Sequence, residues 1–326
     1  MQIINDIRNM PEALKGGVIA IGNFDGVHRG HRGVLDAALE VAKRNNVPAC
    51  VLTFEPHPRT WFRPEHPVFR LTPSAMKADL LESLGFDAMI EQRFDGDFSG
   101  NSAIAFIEEF LGRDLAASHV ITGYDFHFGK KRQGTPEMLA KDGKSAGFDV
   151  TLIEAISDEN REVISSSRIR AALKDGDIAL ANGLLGYGYR LRGTVIEGKK
   201  LGRTLGFPTA NISLPAETTL AFGIYAVRVV RKNGDRHDGV ASYGRRPTFE
   251  NGEALFETFL FDFSGDLYGE ELTVYLHSKL RDELKFDNAD DLVVQMKIDD
   301  SEARQFLMGL PENAGLWPQY SRALDG

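Results

Sequence analysis

The chain holds one cysteine and two tryptophans in 326 residues, and no apolar run long enough to span a bilayer. Cys50 sits in the run Ala49-Cys50-Val51-Leu52, so it has no partner for an internal disulfide and reads as core filler rather than a nucleophile. Basic residues are outnumbered, 38 against 47 acidic ones, for a net charge of −9. That deficit argues against a nucleic-acid binder, which needs a basic surface, and leaves any polyphosphate to local donors and metal ions. Met1 to Leu14 mixes Asp6, Arg8 and Glu12 with apolar residues, which is no signal peptide, and a cytoplasmic protein without membrane contact is expected. Internal repeats and low-complexity tracts are also missing. The length suits two domains.

What is present is organised around Val18-Ile19-Ala20-Ile21 and the loop that follows it. The apolar, β-branched run predicts a buried strand. Apolar spacing from Arg32 to Lys43 predicts a helix, and Ala49 to Phe54 a second strand. Strand, loop, helix, strand is a βαβ unit whose loop meets a helix N-terminus, where backbone N–H groups and the dipole favour phosphate. In that loop Gly26 and Gly30 let backbone approach a ligand, and His28 and His31 stand three residues apart. Taken alone His-x-Gly-His is a weak pattern; at the end of a strand and opening a helix, it suits a reaction that builds negative charge on a polyphosphate.

Further strands are expected at Ala88–Phe94, His119–Thr122 and Phe148–Ile156, with helices from Thr72-Pro73-Ser74 through Leu84 and over Ala103–Leu111. This alternation predicts a Rossmann-like α/β N-terminal domain with a mostly parallel, doubly wound sheet. His57, in Glu55-Pro56-His57-Pro58, follows the second strand and is either a ligand contact or a turn residue. Lys130-Lys131-Arg132 is either a solvated face or an arm that neutralises phosphate. Ser165, Ser166 and Ser167 open a helix with Arg170 one turn beyond, either as ordinary caps or as a phosphate cradle.

After the helix Asp177–Leu185 comes Gly186-Tyr187-Gly188-Tyr189, and the expected domains are 1–185 and 186–326. Strands are then expected at 189–196, 223–231, 238–243, 255–261 and 271–277. Short turns between them predict a C-terminal antiparallel β-barrel, with a terminal helix over 290–307. Gly193 to Lys200 misses the closing Ser or Thr of a P-loop, and Asp262 to Asp266 lacks the glycine of an EF-hand. The informative stretch is Gly198 to Asn211. Gly198, Lys199, Gly202, Arg203 and Gly206 describe a loop able to fold over phosphates. Thr209 and Asn211 offer two neutral oxygens suited to Mg²⁺, or else form the polar end of a barrel loop. Glu257 is a carboxylate inside an apolar strand and is either a base or half of a salt bridge.

Gly22 to His31 resembles the signature of the HxGH nucleotidyltransferases and, more narrowly, of the N-terminal half of bacterial bifunctional riboflavin kinase/FMN adenylyltransferases. Gly123-Tyr124-Asp125-Phe126-His127-Phe128-Gly129 and Ile164 to Arg170 are similar to two further stretches of that family, and Gly198 to Asn211 to its kinase signature. The resemblance implies conversion of riboflavin to FMN and of FMN to FAD, with ATP and Mg²⁺. It implies that His28 and His31 stabilise the transferring α-phosphate. Gly22, Asn23, Phe24, Asp25, Gly26, Ser166, Ser167 and Arg170 would hold ATP. His57, Gly123, Asp125, Phe126 and Phe128 would line the flavin or nucleotide. In the kinase it implies Glu257 as base, the loop glycines with Lys199, Arg203 and Arg281 at ATP, and Thr209 and Asn211 at the metal. Two departures stand out: Ser167 replaces a threonine, and Ser242-Tyr243 replaces the usual Asn-Ile. The alternatives are an enzyme with one activity or a non-catalytic flavin-binding protein. Oligomeric state is not legible.

Overall fold

The computed structural model describes residues 1–197, 207–245 and 254–315. It divides into two compact units, Met1–Ser166 and Ser167–Gly326.

The first unit is built on β1 (Gln2–Ile4), β2 (Val18–Ile21), β3 (Ala49–Glu55), β4 (Ala88–Arg93), β5 (His119–Gly123) and β6 (Asp149–Ile153). Every pairing is parallel, in the order β1-β4-β3-β2-β5-β6. The central strand β2 is buried along its whole length, which is why it reads as an unbroken apolar run. Helices α1 (Arg29–Asn45), α2 (Pro58–Phe62), α3 (Ser74–Leu84), α4 (Gly96–Gly100) and α5 (Ala103–Ala105) connect the strands, and α6 (Pro136–Ser145) follows β5. Successive strands run from β2 outward through β3 to β4, and the chain then crosses to β5 on the other side of β2. The carboxyl ends of β2, β3 and β5 therefore meet at the switch point of the sheet, where open α/β folds bind ligands.

The structure departs from the expected elements in particular places. The helix expected over Ala103–Leu111 is one α-turn that continues as a π-helix over Phe106–Asp114. It carries Phe106 and Phe110 into an aromatic cluster with Phe98 and Phe128. The sixth strand is shorter than Phe148–Ile156, and α6 was not legible because Gly143 and its polar neighbours resemble a loop. A Cβ at Gly143 would lie 2.5 Å from the Phe148 ring, so glycine lets α6 seat against the sheet.

In the second unit, α7 (Ser166–Asp175, its first residue counted with the first unit) and α8 (Ile178–Leu185) precede β7 (Arg190–Ile196), β8 (Thr209–Ser213), β9 (Gly223–Arg231), β10 (Arg236–Arg245), β11 (Ala254–Leu260) and β12 (Glu271–Arg281). The strands close an antiparallel barrel in the order β10-β11-β8-β7-β12-β9, and α9 (Ala289–Met308) packs on it. The Asn182 side chain of α8 donates to Leu276 O and accepts from Tyr189 N, and Leu173 of α7 accepts from Ala221 N. Both helices are thereby tied to the barrel, and the division falls at 166/167 by contacts, where the glycines at 186 and 188 put it at 185/186. Strand β8 was expected as a loop. Among the described residues no helix is long and apolar enough to cross a membrane.

His277 of β12 is buried, and burial together with the Arg228 cation pulls its imidazole down to about 4. The unfolded chain, near 6.5, binds a proton that the folded chain refuses. Stability is thus full above pH 6.5 and is lost as pH falls from 6.5 towards 4, by on the order of 3 kcal/mol. Urea unfolding at stepped pH should show this slope, and His277→Gln should flatten it. An equal slope in the variant would contradict the assignment.

Candidate active sites

In the first unit the loop between β2 and α1 is held in a conformation that sequence rarely adopts freely. Phe24 and Val27 have positive φ, 45° and 38°, and Gly26 has 91°. Such non-glycine residues persist only where their surroundings hold them. Here the Asp25 carboxylate, 1% exposed, accepts from Leu71 N and Thr72 N at 3.2 and 3.0 Å, and Gly26 N donates to Thr72 Oγ1 at 2.8 Å. Asp25, expected at ATP, thus points its side chain into a brace beneath the loop. Ser166 Oγ donates to the Asp25 carbonyl at 2.8 Å, which brings the start of α7 to the same loop. Ser167 and Arg170 follow on α7.

His28 is the N-cap of α1: its Nδ1 accepts from His31 N at 3.2 Å. An accepting Nδ1 carries no proton, so a neutral His28 ring has its proton on Nε2. The His28 and His31 rings are stacked with centroids 3.5 Å apart, and the Phe24 ring stands edge-on to His31. Gly30 is required by this packing, since a Cβ would meet Ile164 O at 2.9 Å and the His28 ring at 3.0 Å. The two imidazoles therefore stack as one unit at the first turn of α1.

The other expected lining residues divide. His57 caps α2 by accepting from Arg59 N at 3.1 Å, so its Nδ1 serves the turn. Gly123 ends β5, Asp125 is exposed beyond it, and Phe126 stacks on Phe128 at 5.5 Å. Phe128 is buried in the aromatic cluster and packs in the core of the unit.

In the second unit Glu257 of β11 stands in register with Asn211 of β8 on one side and Ser242 of β10 on the other. Residues directly opposite in a sheet share a face, so three polar side chains form a row. Thr209 Oγ1 lies 3.5 Å from Glu257 Oε1. A cavity of about 250 Å³ opens here, lined by Thr209, Ser242, Glu257 and Arg281 and walled by Phe259 and Met296. Asn211 is buried, and its Oδ1 has no hydrogen-bond partner among the described residues. A buried acceptor of this kind costs free energy until a ligand satisfies it. With the Thr209 hydroxyl it offers the oxygen donors that Mg²⁺ takes, so the residues fit that ion.

Arg281, expected at ATP, directs Nε and Nη2 to Asp299 at 2.7 and 2.6 Å and Nη1 to Asp282 O at 2.8 Å. Asp299 was not legible as its partner, because strand and helix meet only in the fold. Strand alternation separates the two unusual residues: Ser242 faces the Glu257 row, while Tyr243 is buried between Phe222 and Phe256. Gly198, Lys199, Gly202, Arg203 and Gly206 lie outside the described residues.

A βαβ unit with paired histidines at a helix N-terminus, and a closed barrel with a Thr/Asn/Glu cluster, together suit an enzyme that transfers phosphate-bearing groups. Residues 10–168 match the FAD synthetase family and residues 185–307 the riboflavin kinase family. The chain belongs to the bifunctional riboflavin kinase/FMN adenylyltransferases. It is 42% identical to the protein of that name from Haemophilus influenzae over 94% of this chain and 99% of the relative. The Escherichia coli K12 protein is 39% identical, over 94% and 98%, and that of Listeria monocytogenes 40%, over 90% and 94%. A solved Streptococcus pneumoniae structure described as a macrolide-efflux protein shares the fold, with a TM-score of 0.82 and 32% identity over 93% of this chain and 98% of that one.

Proposed function

We propose that the barrel transfers the ATP γ-phosphoryl group to the ribityl 5′-hydroxyl of riboflavin, and that the α/β unit then joins the FMN phosphate to AMP from a second ATP. The observation that carries this reading is the presence of two separate constellations, each suited to one half of the sequence. In the barrel, Glu257 accepts the hydroxyl proton as the oxygen attacks phosphorus, and ADP leaves. Thr209 and Asn211 would hold Mg²⁺, which when bound offsets charge on the transferring phosphates. In the α/β unit, an FMN phosphate oxygen attacks the α-phosphorus of ATP and pyrophosphate leaves. His28 and His31 stabilise the charge that develops, on a loop that Ser166 braces through the Asp25 carbonyl. The division of labour proposed is 1–185 for adenylylation and 186–326 for phosphorylation, in the cytoplasm.

Asn211→Ala tests the metal assignment. It should raise the Mg²⁺ concentration giving half-maximal FMN formation by about tenfold, with the Mg²⁺ dependence of FAD formation from FMN unchanged. An unchanged requirement in FMN formation would remove Asn211 from the metal.

A further inference from the structure

Lys77, in α3, is a fully buried cation in the first unit that the mechanism above leaves unused. Its Nζ donates to Asn23 O at 2.9 Å and to Thr53 Oγ1 at 2.8 Å, and Thr53 Oγ1 itself donates to Asn23 O at 3.2 Å. Asn23 O is therefore held by two donors from two different elements, α3 and β3. It is also the last carbonyl before Phe24, the first residue at positive φ, whose ring stands against His31. Gly22 has no side chain because a Cβ would meet that ring at 3.0 Å. A connected path thus runs from Nζ through one peptide group to the face of a catalytic imidazole.

We propose that Lys77 is a positioning residue for adenylyl transfer: by pinning the Asn23 carbonyl it fixes the Phe24 ring that orients His31. The proposal rests on the reading of His28 and His31 as the adenylyl-transfer pair. A leucine would bury at this place at far lower cost, because an ammonium removed from water must be repaid by partners. Burial, with help from the Arg70 cation, pulls the ammonium down to about 8, while Asp25, Glu55 and Glu91 work the other way. The ammonium's hydrogen bonds to Asn23 O and Thr53 Oγ1 are of the stronger, charge-assisted kind. Burial on a helix face makes it a poor candidate for direct substrate contact, which is why the effect expected is on geometry.

The test is steady-state kinetics of the full-length chain carrying Lys77→Met, which keeps the stem and removes the donors. FAD formation from FMN and ATP should lose ten- to a hundredfold in kcat, with KM for FMN within about twofold and FMN formation from riboflavin unchanged. A misplacement near 1 Å at a reacting group has this scale of effect. Where Lys77→Met does not fold, Thr53→Val decides: it removes the second donor to Asn23 O and should lower the same kcat several-fold, and Thr53→Ser should restore it. Wild-type kcat in folded Lys77→Met, or in Thr53→Val, would overturn the proposal. Measuring His31→Ala alongside separates the two ideas, because full activity there would reject the site itself, whereas a slowed His31→Ala beside a fully active Lys77→Met rejects only the role of Lys77.

Discussion

His31→Ala is expected to slow FAD formation from FMN by about 10²–10³ while FMN formation from riboflavin continues at its normal rate. His31 occupies the first turn of α1 and contributes a ring, while the cap of that helix comes from His28. Alanine is a good helix former, so the helix should persist without the imidazole. On the proposed role, what is lost is a donor aimed at charge that grows only as the α-phosphorus is attacked, and removal of one such donor costs about 10²–10³ in rate. The cost should fall on kcat more than on KM for ATP, because a ground-state triphosphate is also held by the helix terminus. Separate assays of the two half-reactions check this. Loss of both activities in a folded variant would show that the two sites are not independent.

The reciprocal outcome is expected of Glu257→Gln: FMN formation falls by about 10²–10³, and FAD formation from supplied FMN is spared. Glutamine keeps the length, the register with Asn211 and Ser242, and the capacity to bond Thr209. It lacks the basicity to take a proton from the ribityl hydroxyl, and general-base contributions are of this magnitude. The pair of variants together forms a double dissociation within one chain. An unimpaired kinase in Glu257→Gln would leave the carboxylate as a structural group and move the base elsewhere.

The loop between β2 and α1 was legible because its parts are local. Strand, loop, histidines and helix lie within 28 residues, Val18–Asn45, and hydrophobic periodicity marks both flanks. Other features depended on groups distant in sequence. The polar row Asn211–Glu257–Ser242 follows from pairing of three strands, and Thr209-Ala210-Asn211-Ile212-Ser213 is too short and polar to announce itself as β8. The Arg281–Asp299 pair joins a strand to a helix, so Arg281 alone resembles an open phosphate ligand. Asp25 likewise reads as a ligand from sequence and is turned inward by backbone donors 46 and 47 residues away. Lys77 did leave a trace. It precedes Leu80 and Leu81 by three and four positions, which places it on the buried face of α3, where a lysine requires a reason.

The most direct test of two activities in one chain is the time course of purified protein with riboflavin, ATP and Mg²⁺, with riboflavin, FMN, FAD and pyrophosphate measured separately. FMN should rise first, FAD should follow after a lag, and pyrophosphate should match FAD one for one. FMN accumulating without FAD, or FAD forming from supplied FMN while riboflavin stays untouched, would contradict the account by leaving one of the two sites without its reaction.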